Sequence, residues 1–311
     1  MVRIAVLDDY QGVALKLADW SAVAKRAHID VFCDHLADAD LLVKRLLPYE
    51  IVCVMRERTP LRRELIERLP NLKLIASTAP RNASIDMSAA AERGVTVRHT
   101  GYFSSPTVEL TWALILASAR HITTEAAAVR AGAWQLCLGD DMAQKTLGII
   151  GLGNIGSKVA KVGLAFGMHI IAWSQNLKPE VAAAAGATLV SKQELLRQAD
   201  IVSIHLVLSE RTTGLIGAPE LKLMKPTARL VNTSRGAIVQ EAPLVEALTS
   251  GQIAGAAIDT YDVEPLPLDH PFRNVANLLA TPHIGYVSHG LYERFYRDTV
   301  VNILAWLDGG V

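Results

Sequence analysis

Apolar positions in the first third of the chain gather into short runs. Val2 to Leu7, Ile29 to Phe32, Ile51 to Val54 and Leu72 to Ile75 are nearly continuous apolar stretches. Such runs suit strands buried on both faces of a parallel sheet. Helical segments around Asp38–Leu47 and Leu61–Leu69 lie between them, and Val13 to Ala27 is helical in composition. Val95-Thr96-Val97 adds one more strand. Strand and helix alternate, which predicts an α/β layer with a largely parallel sheet.

The alternation then repeats. Ser105-Pro106-Thr107-Val108-Glu109 opens a helix that runs to about His121, with Pro106 near the first turn as a start signal. Its apolar density predicts a buried element crossing between two domains. Trp134 to Ala143 reads as a loop. Further strands are predicted at Leu147–Ile150, Met168–Trp173, Ile201–Leu206, Leu230–Asn232, Gly255–Ile258 and Leu278–Ala280. Ser191-Lys192-Gln193-Glu194 is a capping box opening a short helix, and Val287 to Leu307 is a final helical stretch. No internal repeat or low-complexity linker interrupts the pattern.

The stretch from Thr146 to Gly167 organises the rest. A buried strand leads into Gly151-Leu152-Gly153-Asn154-Ile155-Gly156, and Ser157 to Phe166 reads as a helix. In this G-x-G-x-x-G spacing Gly151 allows the tight turn, Gly153 lets a pyrophosphate approach the backbone, and Gly156 lets helix and strand pack closely. The helix N-terminus then offers N–H groups and a positive dipole end to phosphates. Without a ligand the same stretch would be only a tight strand-to-helix turn.

Composition narrows the function. Acidic and basic residues balance at 31 each among 311 residues, which removes any electrostatic case for nucleic acid or an anionic membrane surface. No apolar run is long enough for a transmembrane helix, and the N-terminus enters a strand pattern directly, unlike a signal peptide. Cys33, Cys53 and Cys137 have no metal-ligand spacing and read as buried thiols in a reducing cytoplasm.

In open α/β sheets ligands sit outside the carboxyl ends of the strands. Leu230–Asn232 is followed there by Thr233-Ser234-Arg235-Gly236, Gly255–Ile258 by Asp259 and soon Glu264-Pro265, and Leu278–Ala280 by Thr281-Pro282-His283. One Arg, two acids and one His thus share an edge with the glycine loop. A His moves the proton on oxygen while a hydride moves to or from nicotinamide. A carboxylate beside the His favours imidazolium. An Arg can hold a substrate carboxylate through two parallel hydrogen bonds. Each residue alone has a bland reading as ion-pair partner, turn residue, solvated acid or core histidine; their common edge argues against all four at once. His205, after another strand, reads as a loop residue lining the cofactor site.

These segments resemble the D-isomer-specific 2-hydroxyacid dehydrogenases. Gly151–Gly156, Val231-Asn232-Thr233-Ser234-Arg235-Gly236, Gly255–Asp259, Glu264-Pro265 and Thr281–Gly285 carry the resemblance, and Trp134, Leu195-Leu196, Met224-Lys225-Pro226 and Gly251 also fall on the family's pattern. It implies that Arg235 binds the substrate carboxylate, His283 is the acid/base, Glu264 its carboxylate partner, and Asp259 the holder of the nicotinamide carboxamide. Thr233 would join the cofactor site. The implied fold is two doubly wound parallel-sheet domains, Rossmann-like or flavodoxin-like, with a cleft between them. Residues 1–101 with 286–311 would form the substrate domain and 102–285 the nicotinamide domain. A homodimer acting on a small 2-keto or 2-hydroxy acid follows from the same resemblance.

The departures bear on the substrate. The family's Gly-x-Gly loop is Ala79-Pro80-Arg81 here, and Pro80 has no N–H to donate, which moves the expected carboxylate contact to Arg81. Ala-Glu-His in the crossing helix is Val108-Glu109-Leu110, and the Pro that often follows His205 by two is Val207. Tyr102 stands where some members carry an aromatic facing the substrate. The resemblance implies NAD(P) as the cofactor. An NAD-specific site usually places an acid on the ribose 2′-OH about 20 residues past the glycine loop. No Asp or Glu occurs between Asp141 and Glu180, and the strand end is followed by Ser174-Gln175-Asn176. Ser174 and Asn176 could donate to a 2′-phosphate and Lys178 could add charge, so a modest preference for NADP(H) is expected, against a permissive site. The competing readings are a formate- or phosphite-type dehydrogenase, whose relatives usually carry Gln in place of Glu264, and a dinucleotide-sensing interaction protein similar to the C-terminal-binding corepressors. No disordered or charged tail extends beyond the folded pattern to favour the latter.

Overall fold

A computed structural model describes residues 1–309. It divides the chain into two compact units, one from Met1–Phe103 with the chain from Ser288 onward, the other Ser104–Val287. Both are parallel α/β layers.

The first unit holds β1 (Val2–Val6), β2 (Ala27–Val31), β3 (Ile51–Val54), β4 (Leu74–Ser77) and β5 (Thr96–His99), in the order β2-β1-β3-β4-β5, every pair parallel. Ile4, Ile51, Val52, Leu74 and Ile75 are fully buried, as the apolar runs require. The helix His289–Leu307 returns the chain to this unit, buries Leu291, Phe295 and Ile303, and anchors to β5 where Asn302 Nδ2 donates to the His99 carbonyl at 3.0 Å.

One expectation fails here. Val13 to Ala27 is not a helix; only Ser21–Ala24 is helical and β2 starts at Ala27. Asp9 captures the Val13 and Ala14 N–H groups with its carboxylate at 3.1 and 2.9 Å, and Trp20 Nε1 donates to the Ala14 carbonyl at 2.9 Å. These local bonds compete with the helical ladder and fold the segment into turns. The helix expected over Leu61–Leu69 also shrinks to Arg63–Ile66, because Leu61 bridges to Ile85.

The second unit holds β6 (Thr146–Ile150), β7 (His169–Trp173), β8 (Thr188–Leu189), β9 (Ile201–Ile204), β10 (Arg229–Asn232), β11 (Gly255–Ile258) and β12 (Leu278–Ala280). Their order is β12-β11-β10-β9-β6-β7-β8, again all parallel. The chain runs outward from β6 in both directions, so β6 and β9 flank the switch point where such sheets bind ligands. The helix Ser105–Ala119 belongs to this unit and buries Trp112, Leu114 and Ile115; Trp112 Nε1 donates to the Val159 carbonyl at 3.2 Å. The capping box at Ser191 and Glu194 forms as expected.

The thiol expectation needs correction. Cys53 is buried on β3, but Cys33 and Cys137 are exposed. Cys33 lies just past the end of the edge strand β2, and Cys137 lies in the irregular segment after the helix Ile122–Arg130, outside both sheets. Among the described residues no helix is long and apolar enough to cross a membrane.

Candidate active site

β6 delivers the glycine loop to the carboxyl edge of its sheet. Gly151 has φ +99°, and a Cβ there would lie 2.7 Å from the His205 carbonyl oxygen. A Cβ on Gly156 would lie 2.1 Å from the Gly151 oxygen, whereas the space beside Gly153 is open. Side chains at 151 or 156 would therefore break the turn, and the open flank at 153 leaves backbone for a ligand to approach. The helix that follows, Asn154–Ala165, begins three residues earlier than the pattern Ser157–Phe166 indicated. Asn154, Ile155 and Gly156 thus occupy its first turn, where N–H groups have no helical acceptor. Leu152 is buried beneath the loop. This cradle fits a dinucleotide pyrophosphate.

β11 and β12 deliver the titratable groups. Glu264 follows β11, His283 follows β12, and His283 Nδ1 lies 2.6 Å from Glu264 Oε2. Both side chains stay partly exposed, 21% for His283 and 30% for Glu264. Burial alone would raise the Glu264 carboxyl; the hydrogen bond and charge of His283, the Tyr261 N–H and the Arg235 charge outweigh it and hold the carboxyl below its ordinary value. Glu264 is therefore ionised at neutral pH and accepts from Nδ1–H, which leaves Nε2 as the nitrogen able to exchange a proton with a ligand. His283 sits at φ +51° in a tight turn closed by its own N–H to the Thr281 carbonyl at 3.0 Å.

β10 delivers Arg235. Asn232, at the strand end, accepts from Ser234 N at 3.0 Å and donates to the Arg235 carbonyl at 2.9 Å. The Ser234 hydroxyl donates to the Leu206 carbonyl. Arg235 is thereby set in extended backbone, its Nη1 donating to the Ser234 carbonyl at 2.7 Å.

The remaining expected site residues fall into three groups. Asp259 is completely buried. Its Oδ1 accepts from Thr281 Oγ1 at 2.7 Å and Ile284 N at 2.8 Å, and its Oδ2 from Gly285 N at 2.8 Å. Burial pushes this carboxyl up against the pull of those donors and of His283. Thr233 is buried with its hydroxyl 2.9 Å from Thr111 Oγ1, which itself donates to the Thr107 carbonyl. His205 follows β9 with Nε2 2.8 Å from Ser203 Oγ, and burial lowers its pKa to about 3, so it is neutral. These three brace the edge. Ser174 and Asn176 form the turn after β7, half-buried and exposed. Arg81 and Tyr102 belong to the first unit: Arg81 is exposed after β4, and Tyr102 follows β5 with the Arg56 guanidinium 5.7 Å from its ring centre. Among the described residues no cluster of His, Cys, Asp and Glu could hold a metal ion.

Sequence reasoning missed Tyr261, whose N–H donates to Glu264 Oε1 at 3.0 Å. It also missed Lys158, which reaches back along its helix to donate to Ser104 Oγ at 2.7 Å. Neither carries a motif; only the i, i+3 spacing of Tyr261 and Glu264 hinted at a turn.

Comparison with known proteins identifies the family and the fold. Residues 112–285 match the family model described as D-isomer specific 2-hydroxyacid dehydrogenase, NAD binding domain. The chain is 42% identical over 258 residues to a glyoxylate reductase of Aeropyrum pernix, covering 80% of this chain and 77% of the relative. A phosphoglycerate oxidoreductase of Vibrio cholerae superposes with TM-score 0.94 at 36% identity, over 99% of this chain and 100% of that one. A D-lactate dehydrogenase of Aquifex aeolicus, solved with NAD and lactic acid, superposes with TM-score 0.81 at 25% identity, over 99% and 96% of the two chains.

Proposed function

Because the chain belongs to the D-isomer specific 2-hydroxyacid dehydrogenase family and carries its NAD-binding domain, we propose that it works as a reductase of a small 2-keto acid, such as glyoxylate or hydroxypyruvate, with His283, Glu264 and Arg235 as its chemical centre. The observation that carries this reading is the 2.6 Å pair of His283 Nδ1 and Glu264 Oε2 on the edge that also holds Arg235 and the glycine loop.

The backbone of Gly151–Gly156 would hold the pyrophosphate, with Asp259, Thr233 and His205 bracing the nicotinamide side. A bound reduced nicotinamide supplies the hydride that reaches the keto carbon. His283 gives the Nε2 proton to the carbonyl oxygen, so that C=O becomes CH–OH with one hydride and one proton added. Glu264 keeps the ring oriented through Nδ1 and stabilises the imidazolium before transfer. Arg235 holds the substrate carboxylate and polarises the adjacent carbonyl. In oxidation each proton and hydride moves the other way. Residues of the first unit would form the substrate domain, with Arg81 taking the carboxylate contact that Pro80, lacking an N–H, cannot make, and Tyr102 as an aromatic contact carried over from the resemblance. Purified protein assayed by nicotinamide absorbance against glyoxylate, hydroxypyruvate, pyruvate and bulkier 2-keto acids tests the reading; no turnover with any of them contradicts it.

The preferred cofactor in this reading is NADPH. The turn after β7 presents Ser174, Asn176 and Lys178 and no carboxylate, so nothing there repels a 2′-phosphate. Ser174→Asp restores both an acceptor for the ribose 2′-OH and the repulsion, and is expected to move the kcat/KM ratio at least about tenfold toward NADH, roughly 1.4 kcal/mol. An unmoved ratio removes Ser174 from cofactor selection.

The proposed assembly is a homodimer. The helix Ile122–Arg130 exposes Ile122 and Val129, and the segment after it exposes Trp134, Leu136 and Leu138 in alternation, an apolar surface of the kind that partners cover. Light scattering at micromolar concentration reads the mass directly; a monomer excludes the assembly.

A further inference from the structure

Glu264 and His283 stand on different loops, so a short contact between two partly exposed side chains requires that both loops be held. Tyr261 touches each of them. Its N–H donates to Glu264 Oε1 at 3.0 Å, the oxygen opposite the one that meets His283. Its hydroxyl donates to the Thr281 carbonyl at 2.8 Å, and the same carbonyl accepts the His283 N–H at 3.0 Å. The phenol thus grips the turn that keeps His283 at φ +51°. The residue is 8% exposed, and its ring lies in the core beside Phe272 at 6.2 Å between ring centres. Burial, with the charges of Asp259 and Glu264, raises the pKa of this phenol, so it remains a donor throughout the working range. Arg235 is tied in as well: a Cβ on Gly236 would lie 2.1 Å from the Tyr261 carbonyl carbon, so the two loop backbones rest directly on one another.

We infer that Tyr261 is the positioning residue of this centre, setting the His283–Glu264 contact through the Thr281 carbonyl and the Glu264 carboxylate. The inference rests on the dehydrogenase reading above for its kinetic consequence, though not for its geometry. A phenylalanine at 261 would fill the same core volume, keep the N–H on Glu264, and leave the turn with no side-chain donor. The charged groups bearing on the pair are Asp259, which holds Ile284 and Gly285, and Arg235, which acts on Glu264. Neither changes in Tyr261→Phe, so any change in the His283 Nδ1–H signal reports a loosened contact.

The test compares wild type with Tyr261→Phe in two measurements. In keto-acid reduction, kcat is expected to fall about three- to tenfold, the range of one neutral hydrogen bond. Cofactor affinity by fluorescence titration should stay within about twofold, a shift well under one such bond. The high-pH limb of the kcat profile should move to lower pH. In a Glu264→Gln background the same substitution should add no further movement. Nitrogen-15 NMR of the His283 ring, without substrate, reads the contact itself, and Tyr261→Phe should weaken the Nδ1–H signature of a strong hydrogen bond. An unchanged pH profile and an unchanged His283 ring signal overturn the inference, even if the melting temperature drops, because that drop alone means a merely structural tyrosine. If wild type turns over no keto acid, the dehydrogenase reading fails, and the ring signal still decides the role of Tyr261.

Discussion

The two edges of the second unit's sheet hold the same kinds of residue in opposite circumstances. At the amino edge, Asp200 before β9 accepts from Thr146 N and from Lys225 Nζ, both at 2.8 Å, and Arg229 at the start of β10 meets Asp140 at 3.1 Å. Each charged group there tethers one strand start to another element. At the carboxyl edge, Asp259, Asn232 and Tyr261 perform the tethering, each gripping loop backbone with its side chain. That bracing lets Arg235, Glu264 and His283 remain partly exposed at loop ends. Carboxylates and guanidinium groups do not mark a reactive site by themselves. What separates the edges is a second set of polar residues that holds the loops so that the proposed catalytic groups need not.

Substitutions at the two edges should therefore differ in kind. The largest effect is expected from His283→Ala, which removes the proposed proton donor. Turnover should fall about 100- to 10,000-fold, with cofactor affinity nearly intact. A variant keeping most of its kcat would place the proton transfer elsewhere. Arg235→Lys retains charge but loses the planar fork, and kcat/KM for a 2-keto acid should fall at least about tenfold. An unchanged value would move the carboxylate contact off Arg235.

How much of this was legible from the chain follows the same division. The buried runs Ile51–Val54 and Gly255–Ile258 announced their strands, because full burial leaves no polar positions. The glycine loop and the trio of Arg235, Glu264 and His283 were legible because each follows a strand and therefore reaches the same edge. Val13 to Ala27 was not, because its conformation depends on the Asp9 carboxylate capturing two N–H groups, a contact no periodicity reveals. Tyr261 was illegible for a similar reason: its function lies in meeting Thr281, 20 residues away in the chain. The exposure of Cys33 and Cys137 was missed because apolar neighbours in sequence are not neighbours in space.

Two smaller effects sharpen the contrast. Glu264→Gln removes the negative charge that favours imidazolium, so the high-pH limb of the reduction profile should shift to lower pH; a stationary profile would take Glu264 out of the mechanism. Asp200→Asn should leave kcat unchanged and lower stability by about 1.5–3 kcal/mol, the range for a hydrogen bond to a charged group. Burial would raise the Asp200 carboxyl, but Lys225, the Thr146 N–H and Lys145 together lower it. A depressed carboxyl stabilises fully above its unfolded value of about 3.8 and loses that contribution as pH falls through the lowered folded value. The difference in melting temperature between wild type and Asp200→Asn should therefore be constant near neutrality and shrink in acid. A difference that persists unchanged in acid, or a loss of kcat, would erase the distinction between the two edges.

The most direct test of the central claim is the handedness of the product. Protein incubated with reduced nicotinamide and hydroxypyruvate, followed by chiral analysis, should yield the D-2-hydroxy acid in an amount equal to the nicotinamide oxidised. Formation of the L acid, or oxidation of nicotinamide without a 2-hydroxy acid, would contradict it.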